Sequence, residues 1–147
     1  MTGWRIGAIT APEKVIKRMA LLLETITSCV SPFIQMAAVQ AMTDSQIYVD
    51  GMIAEYRKRR DLIVTGLNQI EGIHCVNPGG AFYVFPNITG TGLTSEEFSE
   101  LMLETANVAT CPGNYFGEAG EGFVRFCFAN SEKNIMKALK RIEKALI

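Results

Sequence analysis

Residues 45–70 read as one uninterrupted helix, which at 1.5 Å per residue would run roughly 39 Å. Gly72 follows it, with the freedom to adopt the left-handed backbone that stops a helix. A rod of that length separates two stretches of different character. Before it, residues 4–9 read as a short strand, and Thr10 and Glu13 have capping-box spacing around Pro12. That spacing opens a helix with Val15, Met19, Leu22 and Ile26 on one face. Ser31 and Pro32 restart a second helix with a small-residue face of Ile34, Ala37, Ala38 and Ala41, and Thr43 with Gln46 offers another capping box.

After the long helix the pattern turns to strands alternating with helices. Residues 74–76, 81–85, 108–111 and 123–129 have strand character, the third ended by Pro112 and Gly113. Thr94 and Glu97 cap a helix with Phe98, Leu101, Met102 and Thr105 on one face. Ser131 caps a last amphipathic helix with Ile135, Leu139, Ile142 and Leu146 inward. The fold class expected is α+β. A lone strand at the start would need neighbours to pair with, so the chain reads as a piece of something larger.

At 147 residues, 48% hydrophobic, 20% charged and a net charge of -1, the chain is of domain size and outside the composition of disordered proteins. Fourteen basic residues against fifteen acidic ones, with a pI near 5.9, supply no field for nucleic acid or an anionic membrane. Arg57, Lys58, Arg59 and Arg60 fall within the helical pattern as a solvated face. Residues 25–43 carry no charge but contain Pro32 and many hydroxyl and amide side chains, unlike a bilayer span. No secretory signal opens the chain, so a cytoplasmic location is expected. Cys29, Cys75, Cys111 and Cys127 are scattered and accompanied by a single His, a pattern for reduced, mostly buried thiols and no metal site.

No catalytic set stands out. His74 has no nucleophile beside it, Gly113, Gly117, Gly120 and Gly122 lack the lysine of a phosphate loop, and no acidic pair suggests acid–base work. Arg125 is the exception, because it interrupts the apolar strand Phe-Val-Arg-Phe-Cys-Phe-Ala at 123–129. A guanidinium in a core sheet needs an anion, either an internal carboxylate or the carboxylate of a ligand held bidentately. Arg5, beside Trp4, poses the same choice between a phosphate and a neighbouring carboxylate.

Four motifs bear on that choice: Met-Thr-Gly-Trp-Arg-Ile-Gly at 1–7, Ser-Pro-Phe-Ile-Gln-Met-Ala-Ala at 31–38, Pro-Gly-Gly-Ala-Phe-Tyr at 78–83, and Pro-Gly-x-x-Phe-Gly at 112–117 followed by Arg125 and Phe126. In this order and spacing the chain resembles the C-terminal portion of class I/II pyridoxal-phosphate aminotransferases of fold type I, similar to aspartate aminotransferases. The resemblance implies a remnant of the large cofactor-binding domain over residues 1–44, an interdomain helix over 45–72, and the small α+β domain over 73–147. It implies that Arg5 binds the phosphate of pyridoxal 5'-phosphate and that Arg125 grips the substrate α-carboxylate. Phe82 would line the mouth of the site, with a core aromatic as its other reading. Amino acids and 2-oxo acids would be the substrates and a homodimer the assembly.

The resemblance also implies a gap. The family's Schiff-base lysine sits a few residues before the Met-Thr-Gly-Trp-Arg motif, ahead of Met1, and Lys14 and Lys17 fall on a helix face instead. No catalytic residue is therefore assigned, and the chain by itself is expected to be inactive and to bind the cofactor weakly. Two other readings stand beside this one: a non-catalytic interaction module of the same fold, and part of a fold type I lyase or synthase.

Overall fold

The computed structural model describes residues 1–147, the side chain of Thr2 excepted. The chain divides into two units, Met1–Ile47 and Tyr48–Ile147.

In the first unit the expected strand at 4–9 does not form. A 3-10 turn, Thr2–Trp4, is followed by irregular chain, because a strand needs a hydrogen-bonding neighbour and among the described residues none lies beside it. Helix α1 (Glu13–Ile26) begins at Pro12, whose carbonyl accepts from the Val15 and Ile16 N–H groups. The expected Thr10–Glu13 box is absent, since proline itself takes the cap position and no side chain closes it.

Helix α2 (Pro32–Thr43) starts with proline in its first turn, as the sequence leads one to expect. The Thr43–Gln46 box also fails, because α2 runs on through Thr43, whose hydroxyl donates back to the Val39 carbonyl at 2.9 Å. Gln46 is likewise turned backwards, its Nε2 donating to the Asp44 carbonyl at 3.0 Å, and Ser45 Oγ accepts from the Ile47 N–H instead. Neither α1 nor α2 buries a side chain, and Leu21, Leu22, Leu23, Ile26, Phe33, Met36, Val39 and Met42 are exposed.

Helix α3 (Ile47–Leu67) is shorter at both ends than the 45–70 reading. Residues 68–70 tighten into turns before Gly72, which has φ +83. Gly72 crosses Gly90 so closely that a methyl on it would lie 2.7 Å from the Gly90 carbonyl carbon, so the position excludes larger residues twice over.

The second unit is built on a three-stranded antiparallel sheet with β3 (Val124–Cys127) between β1 (Tyr83–Val84) and β2 (Cys111–Pro112). The register places Tyr83 opposite Cys127, Val84 opposite Phe126, and Cys111 opposite Arg125. All three strands are shorter than their sequence patterns. Ala81, at φ +60, and the buried Pro86 bound β1, and Pro112 ends β2. The expected strand at 74–76 reduces to a single bridge between His74 and Asn87.

Alternation along β3 sends Val124, Phe126 and, just beyond it, Phe128 inward. They meet Ile63 and Leu67 of α3, Phe98 of α4 (Ser95–Leu101), and Ile135 and Ile142 of α5 (Glu132–Leu146) in one hydrophobic core. The caps of α4 and α5 form as read. Thr94 Oγ1 accepts from the Glu97 N–H while the Glu97 carboxylate accepts from the Thr94 N–H at 2.9 Å, and Ser131 Oγ accepts from the Asn134 N–H.

One face is shifted. After α4 the chain makes a π-turn, Met102–Ala106, whose wider circuit leaves Thr105 exposed and buries Ala106.

Candidate functional site

The site is organised by the side of β3 that faces away from the core. Since Val124 and Phe126 point inward, Arg125 must point outward, and it lies half-buried on that outer surface. It is thus not the core guanidinium that the apolar strand suggests. Its Cζ lies over the Tyr83 ring, 4.4 Å from the centroid, and over the Phe116 ring, 4.7 Å from the centroid. Among the described residues no carboxylate of the chain lies within ion-pair distance of it. Of the two sequence alternatives, the internal salt bridge is not what the structure contains.

Each ring is held by other aromatics. Tyr83 occupies the β1 position opposite Cys127, two residues from Arg125 on the same strand face. Phe82 packs behind it, with ring centroids 4.7 Å apart, and also stacks on Tyr56 at 6.2 Å. Phe82 therefore braces Tyr83 and joins the edge of the core, and the Phe128 N–H donates to its carbonyl.

Phe116 closes the 3-10 turn Gly113–Phe116 that follows β2. It meets Phe85 edge to face at 6.1 Å, and Phe85 stacks on Phe123 at 5.3 Å and 8°. The turn is tied down by the Gly113 N–H donating to the Phe123 carbonyl at 2.9 Å. Gly113 and Gly120 touch through their backbones, and a methyl on either would overlap the carbonyl oxygen of the other.

A cation over two rings gains electrostatic attraction while keeping its N–H donors for a ligand. The arrangement is suited to gripping a planar anion by hydrogen bonds in the guanidinium plane. Sequence reasoning singled out Phe82 and missed Tyr83 and Phe116. The signal was the period of two along β1, which places Tyr83 on the Arg125 face once the register is known.

Arg5 belongs to the first unit, where it is exposed and adopts φ +54 directly after the opening turn. His74 is exposed and engaged through its main chain.

The thiols differ from the expectation of mostly buried cysteines. Only Cys75 is buried, and burial pushes its pKa up to about 11. Cys29 lies exposed between α1 and α2, Cys127 is exposed on the outer face of β3, and Cys111 is half-buried. Among the described residues no group of three His, Cys, Asp or Glu could hold a metal ion, and no helix is long and apolar enough to cross a membrane.

The chain as a whole is similar to known proteins. The chain is 46% identical over 148 residues to the aspartate aminotransferase of Pyrococcus horikoshii, covering 99% of this chain and 38% of that protein. It is 45% identical to aromatic-amino-acid aminotransferase 2 of Thermococcus litoralis, with the same coverage. Among solved structures, the aromatic aminotransferase of Pyrococcus horikoshii matches with a TM-score of 0.91 at 45% identity, over 99% of this chain and 39% of that one. The aspartate aminotransferase of Rhizobium meliloti matches with a TM-score of 0.89 at 38% identity, over 99% of this chain and 38% of that one. The chain thus spans less than half the length of the relatives it matches, and its α+β fold is that of part of a fold type I aminotransferase. The family model for aminotransferase class I and II matches residues 1–142, and the chain belongs to that family.

Proposed function

We propose that this chain supplies the substrate-carboxylate grip of a pyridoxal-phosphate-dependent aminotransferase, which moves an amino group from an amino acid to a 2-oxo acid. The observation that carries the reading is Arg125, a guanidinium over two ring faces with no carboxylate of its own chain in reach among the described residues. Both substrates present a carboxylate next to the reacting carbon. One fork-shaped cation can therefore orient each in turn, converting a loose encounter into a fixed geometry. Phe82 belongs at the mouth of the site through its contact with Tyr83.

The residues present fit one end of the cofactor. Arg5 is an exposed, permanently charged fork suited to a phosphate, and it would hold that group. Lys14 and Lys17 lie exposed on α1, Lys17 paired with Glu13 at 2.6 Å, and neither takes the place of the covalent lysine. When bound, pyridoxal phosphate supplies an aldehyde for the amino group and an electron-withdrawing ring. Arg125 would contribute the hold on the substrate carboxylate.

The same reading assigns residues 1–44 to the large domain, 45–72 to the interdomain helix and 73–147 to the small domain. It also implies a cytoplasmic homodimer. Four free cysteines agree with a reducing compartment, and the uncovered apolar side chains of α1 and α2 agree with burial against further protein.

With one phosphate arginine and no covalent lysine, the 147-residue chain by itself is inactive and holds the cofactor weakly. The test is an absorbance titration of the purified chain with pyridoxal phosphate, followed by addition of an amino acid. The spectrum expected is that of the same mixture without the chain, and 2-oxo acid product formed faster than in that protein-free control would refute the inactivity of the chain alone.

A further inference from the structure

The aromatic setting of Arg125 does more than fill space. Phe116 keeps 55% of its surface exposed although it meets Phe85 edge to face, which is not how a residue that merely completes a core behaves. Tyr83 is half-buried on the same outer face, away from the core that Val84 joins. Each ring is fixed from behind by separate aromatics: Phe82 behind Tyr83, and Phe85 with Phe123 behind Phe116. The two rings themselves, Tyr83 and Phe116, come from different segments, β1 and the turn after β2, and they converge on one guanidinium. A long side chain at a sheet surface would otherwise sample many rotamers, and a ligand would have to order it on binding.

We infer that Tyr83 and Phe116 are positioning residues that fix the plane of the Arg125 guanidinium before substrate arrives, so that a carboxylate is met by an oriented in-plane pair of N–H donors. The inference rests on the proposed role of Arg125 as the carboxylate grip and adds to it the residues that make that grip rigid. The ring faces perform this function, and the Tyr83 hydroxyl is not needed for it. Restraint of this kind lowers KM for amino acid and 2-oxo acid alike and leaves kcat unchanged, since it acts on the ground state and the transition state equally.

The test begins on the 147-residue chain with ¹⁵N-labelled arginine, reading the rate of guanidinium rotation of Arg125 by NMR against the exposed Arg57. The expected result is rotation about tenfold slower at Arg125, speeding by about two- to fivefold in Tyr83→Leu and in Phe116→Leu. Tyr83→Phe and Phe116→Tyr should keep the slow rate. Equal rates for Arg125 and Arg57 in the unaltered chain would overturn the inference, as would loss of restraint in Tyr83→Phe.

The second reading uses a chimera in which this chain replaces the matching region of the Pyrococcus horikoshii relative. Both leucine variants should raise KM for both substrates about two- to fivefold at constant kcat, with the aromatic replacements restoring it. If Arg125→Leu raises KM and the leucine variants do not, the positioning role is overturned and the aminotransferase reading stands. If Arg125→Leu itself leaves KM unmoved, the grip reading fails and the positioning role falls with it.

Discussion

Gly113→Ala tests how the turn that carries Phe116 is built. The added methyl would overlap the Gly120 carbonyl oxygen and lie 2.5 Å from the Phe123 carbonyl oxygen. Both are backbone atoms, so no rotamer change relieves the contact and the two segments must move apart. Overpacking of this kind costs about 1–3 kcal/mol. Separation also weakens the Gly113-to-Phe123 hydrogen bond at 2.9 Å and the Phe123-to-Gly120 hydrogen bond at 3.1 Å, at about 0.5–1.5 kcal/mol each. The loss expected for the second unit is about 2–6 kcal/mol, a large share of the roughly 5–15 kcal/mol that holds a domain folded. Gly79→Ala, where nothing lies within 4 Å of the new methyl, is the matched control and should change stability by less than about 1 kcal/mol. Urea unfolding followed by near-ultraviolet circular dichroism reads the Tyr and Phe residues of this unit. The fluorescence of the one tryptophan does not, because Trp4 lies in Met1–Ile47. A Gly113→Ala midpoint equal to that of Gly79→Ala would refute the backbone-contact reasoning.

Ser95 is fully buried, accepts from the Gly122 N–H at 2.9 Å and donates its own N–H to Glu121. Ser95→Ala leaves a buried N–H unsatisfied and should cost about 1–3 kcal/mol, read from the urea midpoint. The Ser95 N–H holds the Glu121 carboxyl below its ordinary value of 4.5, and the Thr94 N–H does the same for Glu97. Both pKa values are lowered in the fold, so their stabilisation is present above pH 4.5 and lost as the pH falls through the lower folded values. Glu121→Gln should flatten the acid limb of the stability–pH curve, and an unchanged limb would show that this carboxylate plays no part. With its thiol raised to about 11, Cys75 should resist a disulfide reagent at pH 8 in the folded chain while Cys29 and Cys127 react, and all four thiols should react in denaturant.

Elements that carry their own local signals were legible from the residues. The Thr94–Glu97 box, the Ser131 cap, the proline start of α2 and the inward stripe of Ile135, Leu139, Ile142 and Leu146 depend on contacts three or four residues apart. The strand expected at 4–9 failed for the opposite reason, since a strand exists only through a partner and pattern alone does not reveal whether one is there. The two missed capping boxes show competition: Pro12 occupies one cap itself, and Thr43 is taken up by α2.

The same distinction runs through the site. Arg125 stood out because a charge in an apolar strand is visible in one segment. Tyr83 and Phe116 lie 42 and 9 positions away and join it only through the register of β1 and the fold of the turn after β2. Phe82, one residue before Tyr83, lies outside β1, where its ring packs against that of Tyr83 at 4.7 Å, a contact that no strand alternation predicts.

The most direct measurement compares the chimera on the Pyrococcus horikoshii relative with its Arg125→Leu variant, by steady-state kinetics with an amino acid and a 2-oxo acid. A carboxylate grip at Arg125 predicts that the chimera transaminates and that the variant raises KM for both substrates by about 10- to 150-fold, the worth of a hydrogen-bonded charge. A folded, active Arg125→Leu chimera with both KM values within about twofold of its unaltered counterpart would contradict that assignment.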